Sequence, residues 1–76
     1  MENYKTKDLG EASALLTMRR ILVDIEREGK ICWFVFTDKK RCEEISRQFF
    51  FDTLLVNARE YYDSMGRLKN RIFSNT

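Results

Sequence analysis

The chain has 76 residues, 43% of them hydrophobic and 34% charged, and a formal net charge of +2. That length fits one domain near the lower limit for a single hydrophobic core, and the charge balance is too even to point to nucleic acid on its own. The longest unbroken apolar run, Ile31 to Phe36, is too short to span a bilayer, and "MENYKTKDLG" lacks the apolar centre of a signal peptide, so cytoplasmic residence without membrane association is expected.

In chain order, Asp8 followed by Glu11 has the spacing of a capping box, and Leu9, Ala12, Leu15 and Leu16 continue it as a helical stripe, which predicts a first helix over about residues 9–19. The period then changes to two. In "ILVDIEREGKICWFVFT" Ile21, Val23 and Ile25 alternate with Leu22, Asp24 and Glu26, and the polar "EREGK" with Gly29 predicts the turn of an antiparallel hairpin. A loop at Glu28-Gly29 sets Ile21, Val23 and Ile25 beside Phe36, Phe34 and Cys32, whereas a loop one residue shorter or longer brings Ile31, Trp33 and Val35 to that face. The first register pairs β-branched residues with two phenylalanines and is preferred. It leaves Leu22, Ile31, Trp33 and Val35 on the other face, too apolar to be left wholly to water.

Asp38, or Thr37 before it, caps a second helix with the stripe Cys42, Ile45 and Phe49. Phe50 and Phe51 fall off that stripe, so either the helix ends there or two rings face outward. Leu54 to Val56 read as a short third strand or an ordered connector. Asn57 with Glu60 then opens a third helix over about 58–73, with Ala58, Tyr61, Tyr62, Met65, Leu68 and Ile72 on its apolar third. Gly66 interrupts it and implies a close backbone approach, and Lys69 falls within the stripe, its stem packing while its ammonium reaches water. The expectation is one α+β domain over residues 1–76, ordered from about 4 to 73. Its order is α-β-β-α-(β)-α, with the hairpin packed against the helices through Leu16, Val23, Phe34, Ile45, Phe49, Met65 and Leu68.

Chemistry-bearing residues are few. The chain has no histidine, two cysteines and three glycines, so no Ser-His or Cys-His pair, zinc-ligand spacing or glycine-rich phosphate loop can be drawn. Glu43 and Glu44 point to different sides of a helix. Cys32 and Cys42 read as reduced, buried small hydrophobes. No enzyme activity, cofactor or metal is expected.

The segments "YKTKDL", "LVDIEREGKICWFVFTD" and "VNAREYYDSMGRLKNRIF" together resemble a small domain of unknown function found in bacteria and their phages. The resemblance runs from about Tyr4 to Phe73. That domain often carries a glycine ahead of the first hairpin strand, where this chain has Met18-Arg19-Arg20. The resemblance implies an accessory protein of bacterial or phage type and brings no activity, cofactor or binding residue with it.

Two non-catalytic functions remain. Residues 37–76 hold eight basic and six acidic side chains, against six of each in residues 1–36. Lys39, Lys40 and Arg41 at a helix start, and Arg67, Lys69 and Arg71 near a helix end, form the candidate contacts of a nucleic-acid-binding module for DNA or RNA, with Trp33 available for stacking. The alternative is a protein-interaction module, whether homodimer, adaptor or phage-type inhibitor, using the apolar hairpin face with Trp33, together with Phe50 and Phe51. Three cations in the first turn of a helix oppose its dipole, so that placement calls for an explanation in either case.

Overall fold

A computed structural model describes residues 2–74. Six elements follow one another: β1 (Tyr4–Thr6), α1 (Leu9–Thr17), β2 (Leu22–Glu28), β3 (Ile31–Phe36), α2 (Lys39–Phe50) and α3 (Ala58–Ser74). The three strands form one antiparallel sheet in the order β1-β3-β2. The α+β class, the hairpin and the three helices are as the periodicity predicted. The parenthesised strand is not: residues 53–57 form an irregular connector. The third strand is instead β1, three residues too short to show alternation.

Hairpin pairing departs from the expected register by two residues. Glu28 lies opposite Ile31, so the loop is Gly29-Lys30, and Ile25 faces Phe34 where Cys32 was expected. Gly29 has φ 63° and Lys30 is not left-handed, as in a II′ turn, which wants glycine at its first central position. A shift of two preserves the faces, so Cys32, Phe34 and Phe36 still share a side with Ile25. Near its start the register slips at Val23, between the pairs Leu22–Phe36 and Asp24–Val35. This bulge turns Leu22 to the face of Phe36 and leaves Val23 49% exposed, removing it from the expected core.

The core joins Ala12 and Leu15 of α1, Phe34 and Phe36 of β3, Cys42 and Ile45 of α2, and Leu68 of α3. All three helices therefore pack on the Phe34–Phe36 side of the sheet. Leu16 lines that cluster, while Phe49 and Met65 are half-buried. Cys42 is fully buried and Cys32 only partly so.

Local chemistry explains the helix ends. Asp8 caps α1 by accepting from the Glu11 amide at 2.8 Å, and Asn57 accepts from the Glu60 amide at 3.0 Å ahead of α3. Helix α1 ends in a Schellman turn: Arg20 N–H donates to Leu15 O and Arg19 N–H to Leu16 O, both at 3.0 Å. Helix α2 ends in the same way, with Thr53 N–H on Gln48 O at 2.9 Å and Asp52 N–H on Phe49 O at 3.3 Å. Both turns require a left-handed residue, usually glycine, and here Arg19 (φ 67°) and Asp52 (φ 61°) take that place. The close approach expected at Gly66 occurs at Gly10. A Cβ on Gly10 would lie 3.2 Å from both Asp8 Oδ1 and Phe49 Cζ, whereas one on Gly66 would meet nothing within 4 Å.

Candidate interaction surfaces

At the start of α2, Asp38 sits in the left-handed region and accepts from the Arg41 amide at 3.4 Å. Its cations are not left unbalanced. Lys39 Nζ lies 3.4 Å from Glu2, Arg41 Nη1 lies 3.2 Å from Glu44, and Arg20 Nη1 approaches Asp38 to 3.9 Å. Glu43 joins Glu2, Asp38, Lys39 and Lys40 around an open depression of about 520 Å³. Four cations (Arg20, Lys39, Lys40, Arg41) thus meet four carboxylates (Glu2, Asp38, Glu43, Glu44). The placement that opposes the dipole is offset by carboxylates close in sequence, Asp38, Glu43 and Glu44, and by one distant in sequence, Glu2.

The basic residues of α3 do not form one patch. Arg67 and Arg71 are one turn apart, but Lys69 lies about 200° around the helix from Arg67 at about 100° per residue. All three are exposed, so Lys69 does not share the buried stripe expected for it. That stripe runs through Tyr61, Ser64, Met65, Leu68 and Ile72, with Ser64 and Leu68 fully covered. Tyr62 and Ala58, expected on it, are exposed. Arg67 shares a small polar cleft between α1 and α3 with Arg19, Glu60 and Asp63.

Trp33 lies on the sheet face turned away from the helices, with Ile31 and Val35. Side chains rather than an element screen this face. Lys5 of β1 reaches across β3 to Glu26 of β2 at 2.8 Å, and the Lys7 ammonium stands 6.0 Å from the Trp33 ring centroid. Val35, between Lys5 and Asp24 in the register, is only 3% exposed. Trp33 is half-buried.

Four of the exposed large apolar side chains lie between the end of α2 and the second turn of α3, while Ile21, Val23, Ile31 and Phe73 are exposed elsewhere. Phe50 is 57% exposed, Phe51 73%, Leu55 91% and Tyr62 73%. Helix α2 ends at Phe50 and the rings also face outward, so both alternatives read from the stripe hold together. The Schellman turn at Asp52 fixes the chain between them. Phe50 has an edge-to-face contact with Phe49, 5.0 Å between centroids, and this is a contact along its own helix.

A buried polar network, which the sequence reading did not find, anchors β1. Glu11 is only 3% exposed, and its two carboxylate oxygens accept separately from Tyr4 Oη and Thr6 Oγ1, both at 2.5 Å. Tyr4 Oη also lies 3.2 Å from Ser46 Oγ of α2. Burial, reinforced by the Glu11 hydrogen bond, pushes the Tyr4 hydroxyl up to about 12. Glu11 was expected to complete a capping box and serves instead as the tether of an edge strand.

Among the described residues no three acidic or cysteine side chains gather as a metal cluster would require, and no helix is long and apolar enough to cross a membrane. No protein-family model, curated protein or solved structure matches the chain.

Proposed function

We propose that this chain is a non-catalytic protein-interaction module that docks a protein partner through the α2–α3 turn. The observation that carries the reading is the exposure of Phe50, Phe51, Leu55 and Tyr62 from the end of α2 through the connector to the start of α3. Large aromatic and aliphatic side chains in water cost about 25 cal/mol per Å² of apolar area relative to burial, and aromatic anchors dominate protein interfaces. Backbone hydrogen bonds from Phe51 to Leu54 fix the end of α2, so the Phe50 and Phe51 rings are presented with little ordering cost on association.

Nucleic-acid binding is the competing reading. The ion pairs of Lys39 and Arg41 with Glu2 and Glu44 and the division of the α3 cations between two sides leave it less uncompensated charge. One experiment separates the two. A photo-crosslinking side chain is placed at Phe51, Leu55, Lys40 or Arg67 of the full chain in the organism that makes it. Protease-sensitive adducts at Phe51 and Leu55, but not at Lys40 or Arg67, support the proposal. Nuclease-sensitive adducts at Lys40 and Arg67 favour nucleic acid, and absence of adducts at Phe51 and Leu55 overturns the protein interface.

A further inference from the structure

Strand β2 lies at the edge of the sheet with one side unpaired. It is the longest strand, and among the described residues no loop or helix backbone bonds to its outer side. The Thr37 N–H to Ile21 O bond faces β3, Arg27 reaches Ile72 O of α3 through its side chain, and the Ile25 N–H donates to the neighbouring Asp24 carboxylate at 2.8 Å, a local bond that an added strand replaces. An open edge of this length is a template for strand addition. Its side chains say which strand fits. Asp24, Glu26 and Glu28 lie opposite Val35, Trp33 and Ile31, so all three carboxylates stand on the face that no helix covers, two residues apart.

From this register we infer that the β2 edge accepts an extended segment of a partner protein carrying Lys or Arg at alternate positions. Residues directly opposite in a ladder point to the same face, so alternating cations in the added strand meet Asp24, Glu26 and Glu28 in turn. A second copy is the wrong occupant. Antiparallel pairing of β2 with itself sets Glu26 against Glu26 or Asp24 against Glu28, and like charges directly opposite destabilise a ladder. The carboxylate row already accepts an ammonium from its other side, where Lys5 reaches Glu26 at 2.8 Å. That hydrogen bond, with the field of Glu26, Asp24 and Glu28, holds Lys5 above its ordinary value. Neither Asp24 nor Glu28 has an ion pair among the described residues; Asp24 accepts from the Ile25 amide through one oxygen at 2.8 Å, which leaves its second oxygen and the Glu28 carboxylate for an incoming cation. This surface is separate from the aromatic turn, and neither depends on the other.

The test uses the full chain and a capped peptide alternating Lys with Val and Thr. Amide hydrogen exchange in β2 is followed by NMR, beside two control peptides: one with Glu in place of Lys, and one with the Lys side chains kept but alternate amides N-methylated. Strand addition slows outward β2 amides by about tenfold or more at saturating Lys peptide and by neither control. Asp24→Asn with Glu28→Gln weakens the Lys peptide several-fold. Equal binding by the N-methylated peptide would reduce the effect to charge attraction and overturn the inference. Absence of any slowing in β2 would do the same, whatever crosslinks form at Phe51.

Discussion

Four single positions test the backbone directly. Arg19 and Asp52 hold left-handed conformations in the Schellman turns of α1 and α2. A left-handed non-glycine residue costs about 1–2 kcal/mol and glycine's extra chain entropy returns about half of that. Arg19→Gly or Asp52→Gly is therefore expected to raise stability by about 0.5–1 kcal/mol, which thermal melting resolves as a few degrees. Gly66 and Gly10 predict opposite signs. Gly66→Ala meets open space and gains helix propensity of about 1 kcal/mol, whereas Gly10→Ala pushes a methyl against Asp8 and the Phe49 ring and destabilises. Burial pushes the Cys42 thiol up to about 11, so a thiol reagent at neutral pH should label the half-buried Cys32 first and reach Cys42 only as the domain opens.

Among the elements, β1 is held by chemistry that the sequence displays only in hindsight. Three residues show no period, and its anchor, Glu11, resembles an ordinary capping glutamate. Glu11→Ala leaves the Tyr4 and Thr6 hydroxyls without their acceptor and is expected to cost about 2–3 kcal/mol, with fast exchange of β1 amides ahead of global unfolding. The Tyr4 hydroxyl gives this a pH signature. Its folded value, about 12, lies above the ordinary 10, so its contribution is complete below pH 10 and is lost as pH rises from 10 towards 12. Absorbance titration should show a tyrosine phase near pH 12 that Tyr4→Phe removes, and the same substitution should flatten that alkaline loss of stability. The hairpin, by contrast, was legible. Alternation located both strands, and the register was also within reach, because glycine at the first position of a II′ turn selects Gly29-Lys30 over Glu28-Gly29. The bulge at Val23 was not, since nothing local distinguishes Val23 from Ile25. The basic residues of α3 were grouped by nearness in sequence, but around a helix Lys69 belongs to a different side from Arg67. Phe50 and Phe51, off the stripe of α2, were the part of the candidate site that the periodicity did reveal.

At the scale of the whole molecule, a small core sets apart the apolar residues that hold the fold from those left over. Phe34 and Leu68 lie within it at 2% and 0% exposure, and replacing either with Ala is expected to cost about 2–5 kcal/mol, a large fraction of the stability of a domain this size. Phe51 and Leu55 contribute little to that core, and Val23, although β-branched and on a strand, stands outside it. Surface changes of this kind stay within about 0.5 kcal/mol. Phe51→Ser with Leu55→Ser should therefore melt within a few degrees of the native chain while losing the binding of a hydrophobic dye to the folded protein and the protein crosslinks at the α2–α3 turn. If the double variant unfolds instead, the two side chains belong to the core and the proposed interface is lost with them. A variant that keeps its melting temperature and still binds the dye and its partner unchanged would place the contact elsewhere on the molecule. The expected result is a fold left intact and a surface made inert.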